Sequence, residues 1–301
     1  MKLKDVAMLG GLAAIWGSSF LFIKIGAPAF GPAVLIELRV LLASVALLLF
    51  AWLSRHRIRV LHKWWQYLVL GAANAAIPFT LIASAELRLD SGLAAILNAT
   101  TPLFTALVAW AWAREAFTWG KTLGVVLGIA GVGVLMGGSG GHMHDNWLPV
   151  GFSLLAAMAY GIAGVFSSRY FHGEKPLDMA IGQQAGAAIV LLPVSLFAIP
   201  AAQPSTTAVI ALAMLAVVCT AAAYLLYFAL IHSVGPVRTL TVTFLVPPFA
   251  VVWGAVFLGE AISWRMVLGL IVILSSVALV VGGGRGPVRR DAMLASDTER
   301  P

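Results

Sequence analysis

Three ionisable side chains stand inside stretches apolar enough to cross a bilayer: Lys24, Glu37 and Arg39. A charge at mid-bilayer costs at least ~2.5–3.5 kcal/mol, so each needs a partner, a wet cavity or a substrate. Lys24 lies near the end of "AAIWGSSFLFIKIG" (13–26), and Glu37 lies a short way into the next apolar run. At about 1.5 Å of rise per residue their depths agree to within a few ångströms. An ion pair between Lys24 and Glu37 on adjacent helices is therefore expected. The other reading is that Lys24 snorkels to the headgroups, as lysines near helix ends do. Arg39 stands two positions from Glu37, nearly opposite on the helix. It needs something else to bond, either loop carbonyls or the carboxylate of a substrate.

Neutral polar and aromatic residues could complete such a site. Trp16, Phe20 and Lys24 follow helical spacing and share a face, beside Ser18 and Ser19. An aromatic wall there suits an apolar or aromatic side chain, although Trp in a membrane helix also serves as packing. Asn74 precedes Pro78, while Asn98 and Thr101 precede Pro102 and Thr243 precedes Pro247. Proline frees the carbonyl four residues earlier, where Asn98 and Thr243 are placed to lend a polar atom. The alternative is that these residues only join helices through hydrogen bonds. Tyr160, Gln183, Gln184, Tyr224 and Tyr227 complete the candidates. Glu115 and Glu260 fall at helix ends, where an acid caps the helix that follows. "HMHD" (142–145) offers two histidines and an acid in a Gly-rich loop, a weak metal site without a fixed third ligand. No cofactor is called for, and the lone Cys219 excludes an intramolecular disulfide.

The elements that must hold these residues are membrane spans. Of 301 residues 61% are hydrophobic and only 10% charged, against roughly 25% charged in a soluble domain. Windows of about 20 apolar residues place ten spans, at 6–26, 33–53, 65–85, 92–112, 121–138, 148–168, 179–200, 207–230, 238–258 and 264–282. "MKLKD" followed by an apolar run also has the form of a signal peptide, with "APA" at 27–29 as a cleavage site. Lys24 interrupts that pattern, and the repeat described next requires the first span. With the N-terminus inside, fifteen of the nineteen Lys and Arg fall on the inner side, and only Arg88 and Arg265 on the outer. The expected orientation has both termini cytoplasmic, in a cell (inner) membrane. Because topology accounts for the charge of +7, no nucleic-acid partner is expected.

The chain repeats itself. "TPLFTALVAWAWAREAFTWGKTLG" (101–124) aligns without gaps on "VPPFAVVWGAVFLGEAISWRMVLG" (246–269), and "LAAIWG" (12–17) on "AAMAYG" (156–161). Residues 1–140 thus form a first five-span unit and 147–283 a second, with 284–301 a polar, disordered cytoplasmic tail. Five is odd, so the second copy enters the membrane inverted. Inverted repeats allow two related conformations around a midplane site, a transporter's arrangement.

"AIWGSSFLFIK" in the first span and the doubled "P-x-F…E" block resemble the drug/metabolite transporter superfamily, specifically its ten-span EamA family. The resemblance covers about residues 5–283. It implies an all-α basket of ten helices around a central cavity, with the fifth of each half outside, and export of amino acids or similar metabolites. The four-span multidrug relatives use a buried Glu in their first span for proton coupling. Here that span carries no acid, which speaks against proton/drug antiport of that kind. The expected function is a secondary transporter exporting amino acids or similar small molecules by alternating access. A multidrug or nucleobase exporter is the alternative within the fold. A membrane enzyme would need clustered Asp, His or Cys at the interface, and the spans hold no such cluster. The expected partners are a small-molecule substrate and the lipid bilayer; oligomeric state leaves no mark in the sequence.

Overall fold

The computed structural model describes residues 2–137, 143–199 and 203–282. The tail expected over 284–301 lies outside the described residues, as do His142 and the side chains of His144 and Asp145. Ten apolar helices are described: α1 (Leu3–Phe30), α2 (Pro32–Leu53), α3 (Leu61–Glu86), α4 (Ser91–Ala113), α5 (Trp119–Met136), α6 (Trp147–Tyr170), α7 (Pro176–Leu196), α8 (Thr206–Val234), α9 (Val242–Leu258) and α10 (Trp264–Gly282). Each contains one of the apolar windows, with ends displaced by a few residues. The start of α9 is trimmed by its neighbour, because Pro236–Thr239 forms a separate short turn of helix before it. Prolines open α2 and α7, where the missing N–H costs nothing.

Helices α5 and α10 stand apart from the rest. They pack on each other, and only 17% and 33% of their apolar stretches are buried, against 44–56% in the other seven long helices. The remaining eight enclose the centre. Large apolar side chains such as Trp119, Ile129 and Val256 face outward, as a lipid belt requires.

Packing between the halves comes in matched pairs. Helix α1 packs on α9 as α6 packs on α4, α1 on α8 as α6 on α3, and α3 on α7 as α2 on α8. Atomic detail repeats the match. A Cβ on Gly17 would stand 2.7 Å from the Phe249 Cβ and 3.0 Å from the Ala250 nitrogen; one on Gly161 would stand 2.8 Å from the Thr105 nitrogen and 3.0 Å from the Phe104 carbonyl carbon. Phe104 and Thr105 are the repeat counterparts of Phe249 and Ala250. Small residues let the backbones approach, which is how membrane helices gain packing energy.

Three helices leave α geometry: α9 over Gly254–Leu258, and α3 and α8 at corresponding places. Ala72–Ala76 of α3 and Met214–Ala222 of α8 are π-helical, and at an offset of 145 residues the first falls within the second. Such segments turn side chains off the regular helical register and recur at functional sites.

Gly161→Val is expected to lower stability by about 1–3 kcal/mol, as overpacking does, because the new side chain meets backbone rather than a movable side chain. Thermal unfolding of the detergent-purified variant reads it, and Gly164→Val serves as control, since only the Thr105 methyl group lies near that site, at 3.9 Å.

Candidate functional site

The π segments of α3 and α8 hold a polar layer at the centre of the helix packing. From α2, Arg39 donates its Nε–H to Thr220 Oγ1 on α8 at 3.0 Å. From α7, Gln183 accepts from Asn74 Nδ2 on α3 at 2.9 Å and donates to the Tyr224 hydroxyl. Counted from the prolines that open α2 and α7, Arg39 and Gln183 occupy the same helical position. Each half therefore sends one long polar side chain from its second helix into the π segment of the other half. Ser18 of α1 closes the layer against Cys219 at 3.5 Å.

Arg39 is the charge at its heart. It is 3% exposed, with its guanidinium carbon 3.9 Å from the centre of the Phe79 ring. Phe79 in turn meets Tyr160 edge-on at 6.2 Å. Stacking on an aromatic face and a hydroxyl partner give partial compensation for a buried cation. Its Nη1 is nevertheless buried without a hydrogen-bond partner, and Arg39 takes part in none of the ion pairs among the described residues. The clamp on loop carbonyls expected as one option for Arg39 is not formed.

Lys24 forms that clamp instead. Its Nζ donates to the carbonyls of Glu86 and Leu89, both at 2.7 Å. The expected Lys24–Glu37 ion pair is absent among the described residues. Matched depth did not imply matched direction, since Lys24 turns toward the end of α3. There the last carbonyls of the helix have no partner within it and offer the better bond. Glu37 is left 5% exposed with Oε2 unpartnered.

The other candidates divide. Trp16 stacks obliquely on Tyr227, ring centres 5.4 Å apart, within an apolar cluster that includes Leu12 and Phe249. Its repeat counterpart Tyr160 lies against Phe79, beside the polar layer. Ser19 is buried, and Gln184 is fully buried with both amide atoms unpartnered. Asn98 does not lend its amide to a freed carbonyl: its own carbonyl, released by Pro102, accepts from Thr101 Oγ1 at 2.7 Å, and its Oδ1 stays unpartnered. Thr243 is exposed and bonds back to the Leu240 carbonyl, away from the layer.

Three contributors escaped the sequence reading. Thr220 was legible as a hydroxyl in mid-span. Phe79 carried no signal among fifteen phenylalanines. Glu86, 1% exposed with both carboxylate oxygens unpartnered, fell one residue outside the third apolar window.

At the opposite end of the bundle from Lys24, Glu174 in the α6–α7 loop accepts from Lys63 at 2.8 Å and from His62 at 3.1 Å. The Lys63 bond holds its carboxyl below the usual carboxylate value. His56 meets Asp178 nearby at 2.9 Å.

Ten apolar helices around a buried polar layer, paired half against half, define a polytopic membrane protein. The chain belongs to the EamA-like transporter family, which matches residues 5–137 and again 147–282. It is 29% identical over 282 residues to the uncharacterized inner membrane transporter YedA of Escherichia coli K12, covering 91% of this chain and 90% of that one. It is 26% identical to the transporter YvbV of Bacillus subtilis, covering 93% and 92%. It is also 26% identical to a probable amino-acid metabolite efflux pump of Salmonella typhimurium, covering 98% and 100%. A solved crystal structure with 17% identity superposes with a TM-score of 0.65 over 91% of this chain and 98% of its own, a likeness of fold.

Replacing Lys24 by Met is expected to cost about 1.5–3 kcal/mol, the range for hydrogen bonds to a charged group. Because Lys24 and Glu37 share no bond, Lys24→Met and Glu37→Gln should add within about 0.5 kcal/mol. Thermal unfolding of the two single variants and the double variant checks both statements; strong coupling would restore the ion pair.

Proposed function

We propose that the chain is a secondary transporter that exports amino acids or similar small metabolites across the cytoplasmic membrane by alternating access, with both termini cytoplasmic. Its two halves act as inverted copies that rock about the polar layer. The observation that carries the reading is Arg39, a buried guanidinium with one nitrogen unpartnered and no carboxylate paired to it. Burying a charge without a counter-charge is expensive, so a family-wide transport role gives that cost a purpose: a substrate carboxylate completes the pair. Asn74, Gln183 and Tyr224 supply neutral donors and acceptors beside it, and Phe79 with Tyr160 supplies an aromatic face. The similarity to an efflux pump named for amino-acid metabolites supports the same substrate class.

The test is uptake of a panel of labelled amino acids into proteoliposomes, each with and without an imposed pH gradient. Saturable uptake competed by unlabelled amino acids, and not by the corresponding amines that lack the carboxylate, is expected. A response to the gradient would identify proton antiport; indifference would identify facilitated diffusion. Arg39→Gln should reduce uptake by about tenfold or more, the value of one lost charge-assisted bond, while the unfolding temperature holds, since an unpaired buried charge is removed. Normal uptake in that variant would remove Arg39 from the substrate site. No uptake of any amino acid would sink the substrate class and turn the search to nucleobases and cationic drugs.

A further inference from the structure

One contact joins the two halves at the Lys24 end of the bundle in a way the rest of the packing does not repeat. Glu260, just beyond α9, accepts from the Ser91 backbone N–H at 2.8 Å, the Ser91 hydroxyl at 2.8 Å and the Gly92 N–H at 3.2 Å. It does not cap the helix that follows it, as expected from sequence, but the start of α4 in the other half. An acid at a helix N-terminus meets both free N–H groups and the positive end of the dipole. The site is shaped for it. A Cβ on Gly254 would stand 2.2 Å from Glu260 Oε2 and 2.6 Å from Ser91 Oγ, so only glycine leaves room.

The mirror position is built differently. The counterpart of Glu260 is Glu115, and the counterparts of Ser91 and Gly92 are Pro236 and Val237. Proline has no N–H to give. Glu115 is 58% exposed and pairs at 3.3 Å with Lys121 of its own half. The helices follow the same asymmetry. Ser91–Asn98 of α4 packs on α9, while the continuation Thr101–Ala113 packs on α6 and α10. The α4–α9 seam is thus tied at the Lys24 end; at the other end of α4, Trp110, Ala111, Arg114 and Glu115 line an open surface pocket.

We infer that Glu260 is the latch of the outer gate: its three bonds to Ser91 and Gly92 hold the outer end of the α4–α9 seam shut, and they break when the transporter opens outward. This rests on the orientation proposed above, which puts the Lys24 end outside. With Pro236, which has no N–H, in the mirror position, no equal latch joins the inner seam among the described residues, so the resting protein is closed to the outside.

The single cysteine reports on this directly. Cys219 is 1% exposed and belongs to the polar layer, so a charged, membrane-impermeant thiol reagent reaches it only through an open gate. In membrane vesicles of the full chain, reagent on the outer face should modify wild-type Cys219 slowly. Glu260→Gln should accelerate this about tenfold, the effect of one charge-assisted bond on such an equilibrium, and Ser91→Ala, which removes only the hydroxyl bond, by less. Glu115→Gln should change nothing. Thermal unfolding separates an opened gate from a damaged fold. Unchanged labelling in a folded Glu260→Gln, or equal acceleration by Glu115→Gln, would overturn the latch. Acceleration only from the opposite face would overturn the orientation and keep the latch. No substrate enters this experiment, so it stands or falls apart from the amino-acid assignment.

Discussion

A polar group inside a bilayer has no water to fall back on, so every donor, acceptor and charge in these helices must be answered by the protein itself. That constraint orders the structure. The lipid-facing surface is given to Trp, Leu, Ile and Val. Polar side chains collect at the helix ends, where carbonyls and N–H groups are free, or in one central layer, where they answer each other. Lys24 on two carbonyls and Glu260 on two N–H groups and a hydroxyl are the same solution applied to opposite helix termini. Arg39 is a buried cation that the solution leaves incomplete, which is why the substrate proposal rests on it.

Duplication explains how such a layer is built with few residues. The corresponding π segments of α3 and α8 give a matched pair of sockets; Arg39 and Gln183 are the plugs, each sent across from the other half's partner helix. Having one plug charged and the other neutral polarises an otherwise two-fold centre. In the proposed alternating access the symmetric frame supplies two alternative packings, and the departures from symmetry decide which is favoured. Glu260 against Ser91 and Glu115 opposite Pro236 is another such departure, worth several hydrogen bonds on one side of the molecule only.

The sequence carried much of this and stopped for physical reasons. Spans were legible because about 20 residues of uninterrupted apolarity have no other use, and the repeat was legible because packing pins Pro102, Phe104, Gly17 and their counterparts. Asn74, Gln183, Tyr224 and Arg39 were found as polar residues in apolar surroundings. What could not be read was direction around the helix axis. Lys24 and Glu37 matched in depth and failed to meet, because the tight connection at Gly31 sets azimuths that spacing does not encode. Thr101 took the carbonyl that proline freed, though Asn98 carried the more conspicuous side chain. Glu260 was assigned to its neighbour in sequence, while its partner lies in the other half of the chain, and only the three-dimensional seam reveals that.

The location of Glu86 follows from the same economy. Its backbone carbonyl is spent on Lys24, and its carboxylate, buried at the end of α3, has no donor of its own among the described residues. The Lys24 ammonium bonds the backbone carbonyls of Glu86 and Leu89 rather than that carboxylate. The Lys24 end of the bundle is therefore held by bonds to backbone groups, from the Lys24 ammonium on one side and the Glu260 carboxylate on the other. In the proposed gating, movement at that end requires the breaking of discrete hydrogen bonds rather than the separation of a buried ion pair.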